Sequence, residues 1–397
     1  MQVDVKLNIE GSSIAVGRLS ELADGIAFQY DTEFLHRGLQ ISPFAMPLSP
    51  QGRLISDNPF GGLPGVFADS LPDGWGNLLL DRQLQRRSRR LTHISMLKRL
   101  CWVGARGMGA FEYEPADERQ ALEPESIRLD AIAENIDRVL AEQASGEALA
   151  TLSNLNGSSG GARPKIVCLV SDDYSRLARG SMVTEDMVPW IIKFRSSYDA
   201  RDQGIQEYIV SVIAKRAGIN MTRTHLFTSP GDAWFGIERF DRNQFGKLHM
   251  CSVAGLLECD FRIPALDYSH ILMMTGRLAS REDVLEQFRR AVFNYSIGNC
   301  DDHAKNFSFL MDANGQWRVS PGYDLVPSEA IGGEHMTTVC GRGKNVGRDT
   351  FYELAKDFKI PKREATLLLD EVADAVSGYG ALAKDYGVKA LKEVRPI

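Results

Sequence analysis

Apolar and polar residues alternate through Val3-Asp4-Val5-Lys6-Leu7-Asn8-Ile9, the period-2 pattern of a half-buried strand. Glu10-Gly11 supplies a turn, and Ile14-Ala15-Val16-Gly17 resumes the sheet. A Gly- and Pro-rich stretch from Phe60 to Pro64 leads into Phe67-Ala68-Asp69-Ser70-Leu71-Pro72-Asp73-Gly74-Trp75-Gly76. A helix is expected next, over Asn77 to Arg86. Gly-punctuated residues from Val103 to Pro115, ending in Phe111-Glu112-Tyr113, close a β-rich module expected over residues 1–115. The polar, acidic run from Ala116 to Glu125 marks its boundary.

Beyond that boundary the period changes. Leu129 to Gln143 has helical spacing at Ile132, Ile136, Val139 and Leu140. The Gly-rich segment Asn156-Gly157-Ser158-Ser159-Gly160-Gly161-Ala162-Arg163-Pro164-Lys165 then runs straight into the β-prone Ile166-Val167-Cys168-Leu169-Val170. A second strand is expected over Val188 to Phe194, and an amphipathic helix over Gln203 to Ala217 with Gly218 as its stop. Two more strands follow near His225-Leu226-Phe227 and from Ala233 to Phe240. From about residue 250 the pattern turns helical. Ser280-Arg281-Glu282-Asp283 is a capping-box-like start with Val284, Leu285, Phe288 and Val292 as its buried face, and Pro361 to Val376 is another helix. Residues 116–248 therefore read as a mixed lobe and 249–397 as a helical one. Gly-rich loop, strand, Lys-bearing strand, helix, two strands, then helices is the order of a two-lobed kinase, with nucleotide between the lobes.

Composition narrows the reading. A chain of 397 residues exceeds one ordinary core, and 44% hydrophobic with 25% charged residues is the make-up of a soluble protein. No run of about 18 apolar residues is present, so no membrane span is expected. The start Met1-Gln2-Val3-Asp4-Val5-Lys6 lacks the basic-then-apolar order of a signal peptide, which points to the cytoplasm. A net charge of −6 argues against coating nucleic acid by bulk charge. Cys101, Cys168, Cys251, Cys259, Cys300 and Cys340 are scattered, as reduced thiols are and zinc ligands are not. Locally basic residues Arg82, Arg86, Arg87, Arg89, Arg90, Lys98 and Arg99 fit either a solvated helix face or a contact for an acidic protein or a DNA backbone.

Phosphoryl transfer needs a carboxylate to orient the attacking hydroxyl, oxygen ligands for Mg²⁺ and a cation for the phosphates. Asn299-Cys300-Asp301-Asp302-His303-Ala304-Lys305-Asn306 places Asp301 and Asn306 five positions apart, the separation of a kinase catalytic Asp and its metal-binding Asn. Asp324, in Gly322-Tyr323-Asp324-Leu325, follows the strand pair Phe307 to Met311 and Trp317 to Ser320, where a second metal-binding Asp belongs. Taken alone, Asp-x4-Asn recurs by chance, and a capped helix end would explain it. Lys193 ends an apolar strand, where either phosphate oxygens or strand alternation toward solvent would account for it. Glu207 on the next helix is a candidate ion-pair partner for it. Asp302 and Lys305 fit contact with substrate or phosphate as well as they fit solvent, and His303 reads as a hydrogen-bonding residue of this loop. Gly157 to Lys165 allows backbone N–H groups to approach phosphates, but no Gly-Lys-Ser/Thr ends it and Pro164 removes one donor. Gly104-Ala105-Arg106-Gly107-Met108-Gly109 is better explained by tight turns.

With these motifs in order, the chain resembles the HipA-type serine/threonine kinases, the toxin components of bacterial type II toxin–antitoxin modules. Phe67 to Gly74 is similar to the family's N-terminal signature and Gly107-Met108-Gly109-Ala110 to the end of that module. Gly157 to Lys165 is similar to its Gly-rich loop, Glu238-Arg239-Phe240-Asp241-Arg242 to its hinge, and Asn299 to Asn306 with Tyr323-Asp324-Leu325 to its catalytic and metal motifs. The resemblance implies an α+β, two-lobed protein-kinase-like (PI3/4-kinase-like) fold with a β-rich N-terminal subdomain and an all-helical C-terminal lobe. It implies Asp301 as catalytic residue and Asn306 and Asp324 as Mg²⁺ ligands. For ATP it implies Gly157, Ser158, Ser159, Gly160, Gly161, Lys193, His303 and backbone groups of Glu238 and Phe240. Ser158, or Ser159, takes the place of the autophosphorylated loop serine; the Ser-Ser-Gly-Gly order here departs from the family's Ser-Val-Ala-Gly. Implied partners are a HipB-like helix-turn-helix antitoxin, DNA mainly through that antitoxin, and a protein substrate such as an aminoacyl-tRNA synthetase. A small-molecule kinase of the aminoglycoside-phosphotransferase type also uses Asp-x-His-x-x-Asn, and a weakly catalytic, DNA-bound corepressor is the alternative from another class.

Overall fold

The computed structural model describes residues 1–87, 94–116, 125–157, 161–328, 331–392 and 394–397. The first module is an antiparallel sheet of β1 (Gln2–Ile9), β2 (Ser12–Leu22), β3 (Gly25–Tyr30), β4 (Arg53–Ile55) and β5 (Phe111–Glu114), ordered β4-β3-β2-β1-β5. Alternation along β1 buries Val3, Val5, Leu7 and Ile9, as the sequence pattern requires. The helix expected over Asn77 to Arg86 runs from Gly74 to Arg87. Another, Met96–Val103, starts at a Ser95 cap.

The middle lobe is a second antiparallel sheet of β6 (Lys165–Ser171), β7 (Leu177–Ala178), β8 (Met187–Lys193), β9 (Thr224–Ser229) and β10 (Asp232–Glu238), ordered β7-β6-β8-β10-β9. Every residue of β6 is buried, because helices Leu129–Leu140 and Gly146–Leu155 lay Ile132, Ile136, Leu149 and Leu152 into one cluster with Ile166, Cys168 and Val170. The Gln203–Arg216 helix packs against β9 and β10.

The third lobe is built on helices Tyr268–Leu278, Arg281–Ile297, Arg348–Asp357 and Lys362–Ser377. Ser280 and Asp283 close the capping box; Val284, Phe288 and Val292 are buried, but Leu285 is only partly so. The lobe is not wholly helical. The expected hairpin, Ser308–Met311 with Trp317–Val319, recruits His249–Ser252 as a third strand. An isolated two-stranded hairpin is marginal in water, and the added strand buries Cys251 and Ser252 on it. One apolar cluster runs from the first module through the third lobe, from Val3, Phe28 and Phe67 to Phe293, Phe351 and Leu369. Phe111 meets His249 edge-on at 4.8 Å within it.

Candidate active site

The sheet of the middle lobe, the third lobe and the Asp69 to Gly74 segment of the first module line a cavity of about 600 Å³. Ile191, Ile237 and Leu325 give it an apolar wall, while Lys165, Lys193, Asp301, Asn306 and Asp324 face it from the polar side. A cleft of this size and mixed lining suits a small organic ligand with one charged end.

Lys193, at the end of β8, is the cation paired with both Asp324 and Glu207. Its Nζ lies 2.7 Å from Asp324 Oδ1 and also bonds the Glu207 carboxylate, so the candidate strand–helix ion pair is formed. Burial works against this ammonium, but the charges of Asp324 and Glu207 outweigh it and raise its pKa. Lys193 in turn holds the Asp324 carboxyl far below the usual range, against burial, with Lys165 adding to the effect. Lys165 had no role assigned from the sequence. It is the direct cross-strand partner of Lys193 in the β6–β8 register, and both line the cavity. Two like charges opposed on one sheet face are unfavourable without counter-ions. Burial and the Lys193 charge push the Lys165 amine down to about 8, with Asp324, Glu207 and Asp73 opposing.

The Arg281–Ile297 helix ends just before Asn299, which begins the catalytic-loop candidate. Asn299 Nδ2 donates to Asn294 Oδ1 at 3.0 Å and to the Asp324 carbonyl at 3.3 Å. Tyr323 Oη donates to the Lys305 carbonyl at 2.6 Å, and Asp324 itself holds a φ of +54°, which Asp tolerates better than most residues. The loop bearing Asp301 and the turn bearing Asp324 are thus locked together. Asp301 N–H donates to Ser328 Oγ, and its carbonyl accepts from Asn306 Nδ2, both at 2.8 Å. That leaves the Asp301 carboxylate two-thirds exposed in the cleft. Partial desolvation there raises its pKa; His303 opposes the shift, and the charges of Asp324 and Asp302 reinforce it. His303 Nε2 is 4.0 Å from Asp301 Oδ1, and its ring meets Phe261 edge-on at 5.5 Å.

Asp302 lies outside the cleft, fully buried and bonded to Tyr268, His335 and Thr337. Lys305 lines the cavity, 3.3 Å from Asp73 of the first module. Gly161 also lines it, whereas Gly157 is buried where a Cβ would fall 2.5 Å from Val167 Cγ2. Ser158, Ser159 and Gly160 lie outside the described residues. At the hinge, Glu238 N–H donates to the Arg223 carbonyl and its own carbonyl accepts from Thr222 Oγ1. The Phe240 ring rests on Tyr323 at 5.4 Å. Of the basic run, Arg82 pairs with Glu142, Arg86 with the Ala144 carbonyl, and Arg99 with Asn77 and Asp81. Arg99 ties two helices together, and Arg82 and Arg86 hold the turn between helices Leu129–Leu140 and Gly146–Leu155; Arg89 and Arg90 lie outside the described residues.

Comparison with known proteins agrees with this architecture. The HipA-like C-terminal domain matches residues 157–379, more than half of the chain, and the HipA N-terminal domain matches residues 7–114. Two curated relatives come from Sinorhizobium fredii (strain NBRC 101917 / NGR234). The putative kinase Y4mE is 26% identical over 251 residues, 58% of each chain. The putative kinase Y4dM is 30% identical over 151 residues, 37% of each. The chain therefore spans less than two thirds of the length of either relative. Among solved structures, a chain of the Shewanella oneidensis MR-1 HipA, HipB and operator DNA toxin–antitoxin complex superposes with a TM-score of 0.70. It is 17% identical, and the match covers 98% of this chain and 92% of that one, a likeness of fold. With both HipA domains matched in order along its length, the chain belongs to the HipA family.

Proposed function

We propose that the chain is a toxin-type serine/threonine protein kinase that uses Mg²⁺-ATP. The observation that carries this reading is the Lys193 ammonium held between Glu207 and Asp324 in the cleft that Asp301 and Asn306 line. Adenine would lie against the Ile191 and Ile237 wall near Glu238 and Phe240, and Lys193 would bind the α/β-phosphates. Asn306 uses its amide nitrogen on the Asp301 carbonyl, which leaves a carbonyl oxygen to join the Asp324 carboxylate as ligands. Two protein oxygens beside phosphates suit Mg²⁺, which would neutralise charge on the β- and γ-phosphates. Asp301 orients the acceptor hydroxyl and receives its proton as the oxygen bonds to the γ-phosphorus. The bond from that phosphorus to the bridging oxygen breaks, and ADP leaves with the electron pair.

Self-phosphorylation on Ser158 or Ser159 would silence the kinase, since a phosphate adds nearly two negative charges within three residues of Gly161, which lines the cavity. The likeness to a chain from a HipA, HipB and operator DNA complex supports a helix-turn-helix antitoxin as partner, with DNA reached through it. An aminoacyl-tRNA synthetase is the proposed substrate class, and the cytoplasm the proposed location. Intact-mass and peptide mass spectrometry after incubation with Mg²⁺-ATP tests the reading. Wild type is expected to gain phosphate on Ser158 or Ser159 and Asp301→Asn to gain none. An unmodified wild type, or an Asp301→Asn chain that still labels, would sink it.

A further inference from the structure

Asp73 belongs to the first module, yet its carboxylate stands in the wall of the cleft. One oxygen, Oδ2, accepts the Gly161 N–H at 3.2 Å and lies 3.3 Å from Lys305 Nζ. A single atom thus joins three parts of the chain: the N-terminal subdomain, the end of the Gly-rich loop and the catalytic loop. The contact is close all along this edge. Trp75 N–H donates to the Gly161 carbonyl, and a Cβ on Gly74 would come within 2.8 Å of Ala162 Cα. Burial works against an ionised Asp73, but the Lys305 charge and the Gly161 N–H outweigh it and hold its carboxyl below the usual range.

Lys305 is held as firmly. Its side chain is 16% exposed, its ammonium lies 4.3 Å from the centre of the Phe261 ring, and its carbonyl takes the Tyr323 hydroxyl. It immediately precedes Asn306 and is four residues beyond Asp301. Lys193 is already doubly paired with Glu207 and Asp324, whereas Lys305 lines the same cavity on the loop that carries Asp301. In phosphoryl transfer, negative charge spreads over the non-bridging oxygens of the moving group, and a cation fixed in advance stabilises it without reorganising.

We propose that Lys305 is a catalytic residue that hydrogen-bonds the γ-phosphoryl group, and that Asp73 is its positioning residue. The N-terminal subdomain then supplies part of the transfer site, an inference that rests on the kinase reading above. Lys305 keeps its proton throughout; the acceptor's proton goes to Asp301, and the bridging-oxygen bond breaks toward ADP. Asp73 aims the ammonium and, through Gly161, sets the loop end against it.

The single self-phosphorylation turnover of the full chain, followed as ADP formed from Mg²⁺-ATP, tests this without an identified acceptor. Asp73→Asn can still accept from Gly161 but no longer pairs as an anion with Lys305; Lys305→Met removes the cation. Each is expected to lower the rate constant of that turnover at saturating ATP about 10- to 100-fold, with the apparent KM for ATP changed less than about threefold. The double variant should be no slower than the slower single one, because Asp73 acts through Lys305. Lys305→Arg should recover part of the loss, which a merely structural role would not predict. Should Asp73→Asn melt early, Lys305→Met and its Arg rescue decide the matter. Full activity in both variants, a loss confined to KM, or losses that multiply would overturn the inference and leave the kinase reading standing. A wild type that makes no ADP would sink both.

Discussion

Asp302, one residue beyond the candidate catalytic Asp301, holds that loop in place from inside the lobe. It accepts from Tyr268 Oη at 2.9 Å and Thr337 N–H at 3.0 Å, and it meets His335 Nδ1 at 3.1 Å. His335 stacks on Tyr295 with ring centres 3.6 Å apart. Burial works against its charge, but hydrogen bonds to Asp302 and Cys300 outweigh that and raise its pKa from 6.5 to about 9. A folded pKa above the unfolded one gives stability that is complete below pH 6.5 and lost as the pH rises through about 9. Urea unfolding should show wild-type stability falling from pH 7 to 10. His335→Gln should lose about 2–3 kcal/mol at pH 6 and show a flatter profile; an unchanged slope would refute the pair's role. Asp301, Asn306 and Asp324 were legible because their motif is local. Glu207 was legible through the strand–helix order. Lys165, Asp73 and the buried place of Asp302 were not, because each depends on sheet register or on contacts between residues far apart in sequence.

At the scale of elements, local signals read well where the caps and periods are strong. The Ser280 box, the Gly218 stop and the alternation of β1 all appear as expected. Helix Gly146–Leu155 was missed, although Ser145 caps it, because its short sequence carries little periodicity. The third strand, His249–Ser252, escaped notice because a four-residue segment becomes a strand only by pairing with a distant hairpin. The start of helix Gly74–Arg87 is a sharper case, since it must seat on the Gly-rich loop. Gly74→Ala would drive a methyl group into the Ala162 backbone at 2.8 Å, where no side chain can swing aside. The expected outcome is a loss of about 1–3 kcal/mol in thermal unfolding and weaker ATP binding by calorimetry; normal values for both would show that the contact yields freely.

At the scale of the molecule, the first module is joined to the hinge by a fully buried cluster. Asp241 bonds Arg239 and Arg242 as well as Gly109 N–H, and both arginines reach the Gly107 carbonyl. The glycine segment, which read as tight turns and as the end of that module, is therefore also its docking edge. Asp241→Asn would leave two buried guanidinium groups without a counter-charge and should cost about 3–5 kcal/mol in chemical denaturation; a loss under about 1 kcal/mol would contradict it. The two-lobed order was visible from the sequence, whereas the shared core of its first and last parts was not, since nothing local marks a packing partner hundreds of residues away. Synthesis runs from Val3 toward Phe351, and domains commonly fold as they emerge. Here Val3, Phe28 and Phe67 leave the ribosome long before Phe293, Phe351 and Leu369, with which they share one apolar cluster. That shared cluster is complete only once Leu369 has emerged, so the cleft takes its final form only after the last of these residues has been made.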